Sequence, residues 1–330
     1  MAHELHIDIR GKASMAYVND EPWHGLGQKL TEGASLGTWA EEAGLQYTIQ
    51  DSPVFFHGMD GSKQIFDNKK ALYRNDTGAA LGMVSDRYRV VQPVEVLEFF
   101  RDLTEAGGYQ LETAGSMFGG AQYWALAKTG HTAKIGGPKS NDAINGYLLL
   151  ATGCGGKLAT TAQFTSVRVV CNNTLTAALR GQNKKDNSQI KVTHRSQFDA
   201  SKVKQELGID TIWDNFIEGL NILSDTPVKD EAALKFIVSL VGDPEKDLAQ
   251  QQDRAKDVAT VWQLYKGKGR GSDMKTSMGT AFGLVNSITE FVDHLSGSNQ
   301  DTRLRSAWHY DLAYLKNDTY QRALTELAGV

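Results

Sequence analysis

Three or four strand-like runs follow one another between Tyr109 and Cys171 with no helical pattern between them. They are Tyr109–Met117, Ala121–Lys128, Ala143–Thr152 and Leu158–Cys171, separated by "FGG", "GHTAKIGGPKSND" and "GCGG". Antiparallel neighbours can be joined by a tight turn, whereas a parallel pair needs a crossover of a dozen or more residues, usually a helix. Short or glycine-bearing links therefore favour an antiparallel meander over βαβ units. The stretch "TLTAALRG" directly after the last run reads as a short helix closed by Gly181, which gives a β-β-β-α core.

The flanks follow different periods. A helix is expected near Ser35–Ala43 and a strand near Tyr47–Phe56. The segment "KQIFDNKKALYRND" (Lys63–Asp76) reads as a hairpin turning at Asp67-Asn68. Tyr88–Val91 reads as a strand, after which Pro93 suits a first helical turn and Gly107-Gly108 stops that helix. Beyond about Gln197 apolar residues recur at i, i+3 and i+4, as in Val258, Val261, Trp262 and Tyr265. Helices are predicted over Ala200–Leu223, Asp230–Val241, Pro244–Tyr265 and Thr276–Leu295. The fold class is therefore α+β, with an antiparallel β-meander followed by a helix and a mostly helical C-terminal third. Residues 1–196 are expected to form the sheet domain and residues 197–330 a helical region packed on or beside it.

The composition is globular, at 41% hydrophobic and 22% charged over 330 residues. "MAHELHIDIR" is too charged for a secretory signal, and no apolar run approaches membrane-spanning length. Cys154 and Cys171 form no CxxC, so neither a disulfide framework nor a zinc site is suggested. A soluble, intracellular chain without a membrane partner is expected.

Charge is the second constraint. The formal net charge is −4, yet Lys128–Lys204 holds twelve basic residues and only three acids, a net of +9 that leaves −13 for the remainder. A confined polyanion site would produce such an asymmetry. Acidic flanks folded over the basic middle would produce it too.

Within that region Arg168 shares strand parity with Ala162, Phe164, Ser166 and Val170. It reads either as a partly buried arginine paired with an acid or carbonyls, or as a guanidinium held to grip phosphate. Asn172 or Asn173 is a natural N-cap for the following helix, and a helix N-terminus beside an arginine also suits an anion. "RGQNKKDNSQIKVTHR" looks like a basic arm, either solvated or touching phosphate. "YKGKGRGSDMK" reads as a mobile basic loop able to close on a polyanion, and it is not a Walker motif. The candidate nucleic-acid contacts are Lys128, Lys157, Arg168, Asn172, Asn173, Arg180, Lys184, Lys185, Lys191, Arg195, Lys266, Lys268 and Arg270. Tyr123, Trp124 or Tyr147 could stack on bases or belong to the core. No HExxH, GxSxG or Rossmann fingerprint is present, so no catalytic residue and no cofactor is assigned. In "EFVDH", Glu290 and His294 share a helix face that could hold two metal ligands or be ordinary surface. Trp23 and His24 in "EPWHGLG" read as a packed loop.

"WHGLG", "YRVVQP", "FTSVRVVCNNTL" and "GTAFGLVNSITEFVDH" resemble, in order, motifs of the phage/plasmid-like proteins grouped as domain-of-unknown-function family 932. The resemblance runs from about Trp23 to His294. It implies a mobile-element setting in the bacterial cytoplasm and supplies no catalytic residues. The order read from Ala121 to Gly181 is similar, more remotely, to the core of phage single-strand annealing proteins, a β-β-β sheet and helix with basic residues along a groove.

Two functions fit. The first is binding and annealing of single-stranded DNA in recombination, without bond chemistry, by subunits self-associated into a ring or filament. The second is a protein-interaction or counter-defence module that meets a host or phage protein through its acidic surface.

Overall fold

The computed structural model describes residues 5–8, 11–19, 25–155, 158–168, 173–175, 189–192, 208–243, 245–248, 255–296 and 311–330. At 102–107, 168, 173–175, 189–192, 209 and 311–314 the backbone alone is described.

The meander is present. Strands β6 (Gln110–Met117), β7 (Gln122–Lys134), β8 (Ala143–Gly153) and β9 (Thr160–Arg168) pair antiparallel in sequence order. Beside β6 lies β1 (Met15–Tyr17), antiparallel to it, and β2 (Gln28–Lys29) runs parallel to β1, which makes the sheet mixed. The outer edge of β9 is shared by two short strands, β10 (Asn173–Leu175) and β11 (Gln189–Val192).

The chain does not enter a helix at Thr174. Thr174 instead lies opposite Val167 and Leu175 opposite Ser166. An edge strand offers a row of unpaired backbone groups, and pairing them outweighs the modest helix propensity of "TLTAALR". Residues 176–188, where the rest of that helix was expected, lie outside the described residues.

Both sheet faces are covered. On one, Ile144, Leu148, Leu150, Ala162 and Phe164 are buried in the main core. Phe164 meets Trp213 and Phe216 of helix α3 (Ile209–Asp225) at centroid distances of 6.0 and 6.2 Å. Each such buried aromatic stabilises the fold by about 2–3 kcal/mol. The other face carries a smaller cluster of Leu5, Met15, Met117, Trp124, Leu149 and Ala151.

A second sheet holds three antiparallel strands, β3 (Ile49–His57), β4 (Lys63–Arg74) and β5 (Ala80–Ser85). The hairpin expected to turn at Asp67-Asn68 is absent, because β4 runs straight through those residues. Asn68 does adopt a left-handed φ of +63°, but as a bulge where the β3–β4 register shifts. The actual turns are Gly58–Ser62, where Gly58 N–H donates to Ser62 O at 2.9 Å, and Asn75–Ala79.

Tyr88–Val91 is not a strand. Side chains hold it instead: Tyr88 Oη donates to Gly153 O at 2.5 Å, and Tyr123 Oη donates to Val91 O. Helix α2 (Pro93–Gly107) begins at the expected proline, with Glu95 accepting from Gln92 N–H at 2.5 Å and Gly108 ending it at φ +71°. Helix α1 (Leu36–Glu42) is capped by Ser35, whose Oγ accepts from Thr38 N–H.

The C-terminal helices are α3, α4 (Asp230–Val241), α5 (Lys256–Gln263), α6 (Ala281–Glu290) and α7 (Asp311–Arg322). The last three each run on into a wider helical turn, Leu264–Lys268, Phe291–Leu295 and Ala323–Ala328. The helix expected from Thr276 starts at Ala281, capped by Thr280. Thr276 instead donates from Oγ1 to Asp142 Oδ2 at 2.5 Å, which ties the β7–β8 turn to the segment preceding α6.

Candidate nucleic-acid interface

Strand register fixes which candidates share a face, since residues directly opposite in an antiparallel pair point the same way. Lys128 is in one cross-strand row with Gln110, Tyr147 and Thr165. Lys191 on β11 is in a second row with Thr161, Ala151 and Trp124. Both lysine positions therefore lie on the face of the small cluster, three strands apart and four residues along. That is a separation of roughly 20 Å. Between them the face is rich in hydrogen-bonding groups, Thr161, Gln163 and Thr165, all buried.

Arg168 occupies the opposite row. It registers with Ile144 on β8 and Asn173 on β10, on the side where Phe164 and Ala162 meet the helices. The register thus places Arg168 at the strand end on the helix-packed side, while Lys128 and Lys191 share the other. Asn173 is a strand residue and caps no helix. Lys157, Asn172, Arg180, Lys184, Lys185 and Arg195 lie outside the described residues, as do Trp23 and His24.

The glycine-rich basic loop is tied down at several points. Lys266 Nζ pairs with Asp230 at 2.8 Å and stands 5.5 Å over the Trp262 ring. Lys268 Nζ donates to Gln263 Oε1 at 2.9 Å. The Arg270 backbone N–H donates to Glu290 Oε2, also at 2.9 Å. Gly267 takes φ +119°, and a Cβ on Gly269 would stand 3.0 Å from Glu290 Oε2 and 2.9 Å from Leu264 O. The glycines let the backbone wrap a buried carboxylate, and Lys268 and Arg270 remain exposed on the outside. This geometry displays charge from a built loop rather than from one free to close.

In "EFVDH" the same Glu290 carboxylate is buried and is not ordinary surface. Glu290 is committed to the Arg270 amide, and Asp293 to Lys316 Nζ at 2.7 Å. Among the described residues no group of three or more His, Cys, Asp or Glu could hold a metal ion.

Stacking by the meander aromatics is also overturned. Tyr123 is fully buried, and its hydroxyl is held well above the usual phenol range by burial. Trp124 lies over Gly115, whose missing Cβ would fall 2.7 Å from the indole, and Tyr147 is buried too.

One polar constellation was not evident in the sequence. A register break between Lys128 and Thr132 brings Thr129 Oγ1 to 3.0 Å from His131 Nδ1, and His131 Nε2 to 2.9 Å from Asp210 Oδ1. It does not present a nucleophile, because Thr129 is buried and its hydroxyl donates to Gly146 O at 3.0 Å. The exposed aromatics also went unread: Phe55, Phe56 and Phe66 all lie on the β3–β4 ribbon. The signal available was "VFFH", where adjacent aromatics break strand alternation and cannot both face one core.

No helix among the described residues is long and apolar enough to cross a membrane. A family model described as "Domain of unknown function (DUF932)" matches residues 80–308. No curated protein and no solved structure matches the chain.

Proposed function

The chain belongs to the DUF932 family, and from that footing we propose that it is a phage- or plasmid-type protein that binds single-stranded DNA and promotes annealing without bond chemistry. The observation that carries the reading is the confinement of charge: +9 within Lys128–Lys204 on a chain of net −4. The register supports it only in placing Lys128 and Lys191 in rows of the same sheet face; Gln163 and Thr165 between them are buried and offer no contact. Lysines at that spacing neutralise phosphates along one strand and leave sequence to base pairing between two bound strands. Lys268 and Arg270 on the built loop offer further phosphate contacts.

The test is fluorescence-anisotropy binding of a mixed-sequence single-stranded oligonucleotide at about 50 and 200 mM salt. Several phosphate contacts make affinity fall by orders of magnitude over that range. Tight, salt-sensitive binding supports the reading. No binding at low salt overturns it and favours a protein partner met through the acidic remainder.

A further inference from the structure

Two loops far apart in sequence meet at one end of the large sheet, the β7–β8 turn and the glycine-rich loop before α6. Thr276 Oγ1 donates to Asp142 Oδ2 at 2.5 Å, and Gly136 N–H donates to Asn221 Oδ1 at 3.1 Å. A Cβ on Gly136 would stand 2.7 Å from Thr276 Cγ2, so turn and loop are in direct contact. Lys134 and Lys139 are exposed on the turn, and Lys268, Arg270 and Lys275 on the loop. Among the described residues none of these five side chains pairs with an acid, in contrast to Lys266 on Asp230. Lys134 donates to Pro138 O at 3.3 Å and Lys268 to Gln263 Oε1 at 2.9 Å, both neutral acceptors that leave the charge in place.

Acids are kept off this surface. Residues 134–142 and 266–275 hold six bases and two acids, a net of +4 on a chain of −4. Of the two acids, Asp142 is fully buried against Thr276, which leaves Asp273 as the exposed one. Like charges gathered on adjoining loops repel, yet buried hydrogen bonds clasp these loops together, and the Arg270 N–H bond to Glu290 fixes the outer one. Fold stability gains nothing from that concentration; a polyanion gains a preformed site. The surface also continues the sheet face. Lys134 lies opposite Ala143 and Lys128 opposite Tyr147, two β8 residues on one side, so the lysines share that face roughly 13 Å apart.

We propose that Lys134, Lys139, Lys275, Arg270 and Lys268 form one phosphate track, along which a single-stranded nucleic acid passes from the Lys128 side of the sheet, round its end and onto the glycine-rich loop. This path rests on the nucleic-acid reading above. Protein interfaces are depleted in lysine and built on buried apolar anchors, whereas the large apolar side chain exposed on these loops is Met278 alone. Lysine and arginine on an open surface suit phosphate instead.

The test is oligonucleotide binding across salt by the full chain and three double variants. Lys139→Ala/Lys275→Ala removes the junction of turn and loop, and Lys268→Ala/Arg270→Ala the far end. Lys235→Ala/Lys246→Ala removes equal charge elsewhere, from lysines paired with Glu231 and Asp243. All six side chains are exposed, so thermal melts are expected to stay near wild type. Each of the first two variants is expected to reduce the slope of log affinity against log salt by about 1.4, which is about 0.7 per lost contact on a single strand. The loss should be alike for every oligonucleotide sequence, and the third variant should leave the slope unchanged. If wild type binds but neither track variant moves the slope, if only one does, or if the control moves it as far, the path is overturned while the nucleic-acid reading stands. A wild type that does not bind at low salt overturns both.

Discussion

Lys316 Nζ lies 2.7 Å from Asp293 Oδ1, and the two side chains are only 1% and 10% exposed. The pair joins α7 to the wide turn that follows α6. A buried ion pair adds little over an apolar pair of the same volume, but stranding one charge costs about 3–5 kcal/mol. Lys316→Met and Asp293→Asn are each expected to lower the unfolding free energy by that amount in urea titrations. The double variant Lys316→Met/Asp293→Leu is expected to recover most of the loss.

Gly283 has no room for a side chain. A Cβ there would fall 1.9 Å from the Ser277 carbonyl oxygen, which neighbouring backbone cannot vacate. Gly283→Ala is expected to destabilise by about 3 kcal/mol or more. Gly37 in α1 makes the contrast, because its nearest neighbour to a built Cβ is Ser35 Oγ at 3.7 Å. Gly37→Ala is expected to stabilise by about 0.5–1 kcal/mol. Thermal melts of the two variants should move in opposite directions.

Cys154 should be inert. Burial pushes its thiol up to about 12, and Sγ donates to Ala121 O at 3.3 Å. Since the thiolate is the reactive form, alkylation at pH 8 should spare Cys154 in the folded chain and modify it in denaturant. Peptide mass mapping separates the two states; rapid native labelling would contradict the burial.

Arg74 forms a two-pronged pair with Asp76, Nε to Oδ1 at 2.9 Å and Nη2 to Oδ2 at 2.7 Å, while its guanidinium stacks 3.9 Å over Tyr47. The hydrogen bonds from Arg74 hold the Asp76 carboxyl below its ordinary value of 3.8. A depressed carboxylate pKa contributes stability that is present above the unfolded value and lost as pH falls through the folded one. Acid unfolding below about pH 4 should therefore be shallower for Asp76→Asn than for wild type. Equal slopes would show that the pair does not contribute.

Charge reversal on the sheet face probes the binding reading directly. Lys128→Glu and Lys191→Glu should each weaken oligonucleotide binding and reduce the slope of log affinity against log salt by about 0.7 per lost phosphate contact. Arg168→Glu, in the opposite row, should leave that slope nearer to wild type. A larger slope change at Arg168 than at the two lysines would move the interface to the other side of the sheet.

The meander could be read from the chain because two links are short and the longer one, "GHTAKIGGPKSND", is glycine-bearing and has no helical pattern. Asn68 shows where local signals stop: its left-handed φ was legible, but whether that φ makes a hairpin or a bulge depends on Pro53 and Lys70 pairing across it. Tyr88–Val91 has strand composition, yet the partners that hold it are the distant Gly153 and Tyr123. At the candidate site the charge asymmetry was plain, while the face each lysine takes depended on cross-strand register. Trp124 and Tyr147 read as either core or stacking residues until their neighbours were placed. "VFFH" signals that Phe55 and Phe56 cannot both face one core, but that β3 and β4 pair beyond the end of β5 is set by long-range pairing.

The pairing of Met15 with Gly115 has a consequence in time. The first strand of the large sheet cannot find its antiparallel partner until about one hundred further residues have been made. At translation rates of about 5–20 residues per second, that wait lasts roughly 5–20 seconds. During it the three-stranded sheet, whose contacts are local, can form on its own, while Met15 and Leu5 stay uncovered. A ribosome pause anywhere before Ala151, the last residue of the cluster that covers them, would lengthen that exposure.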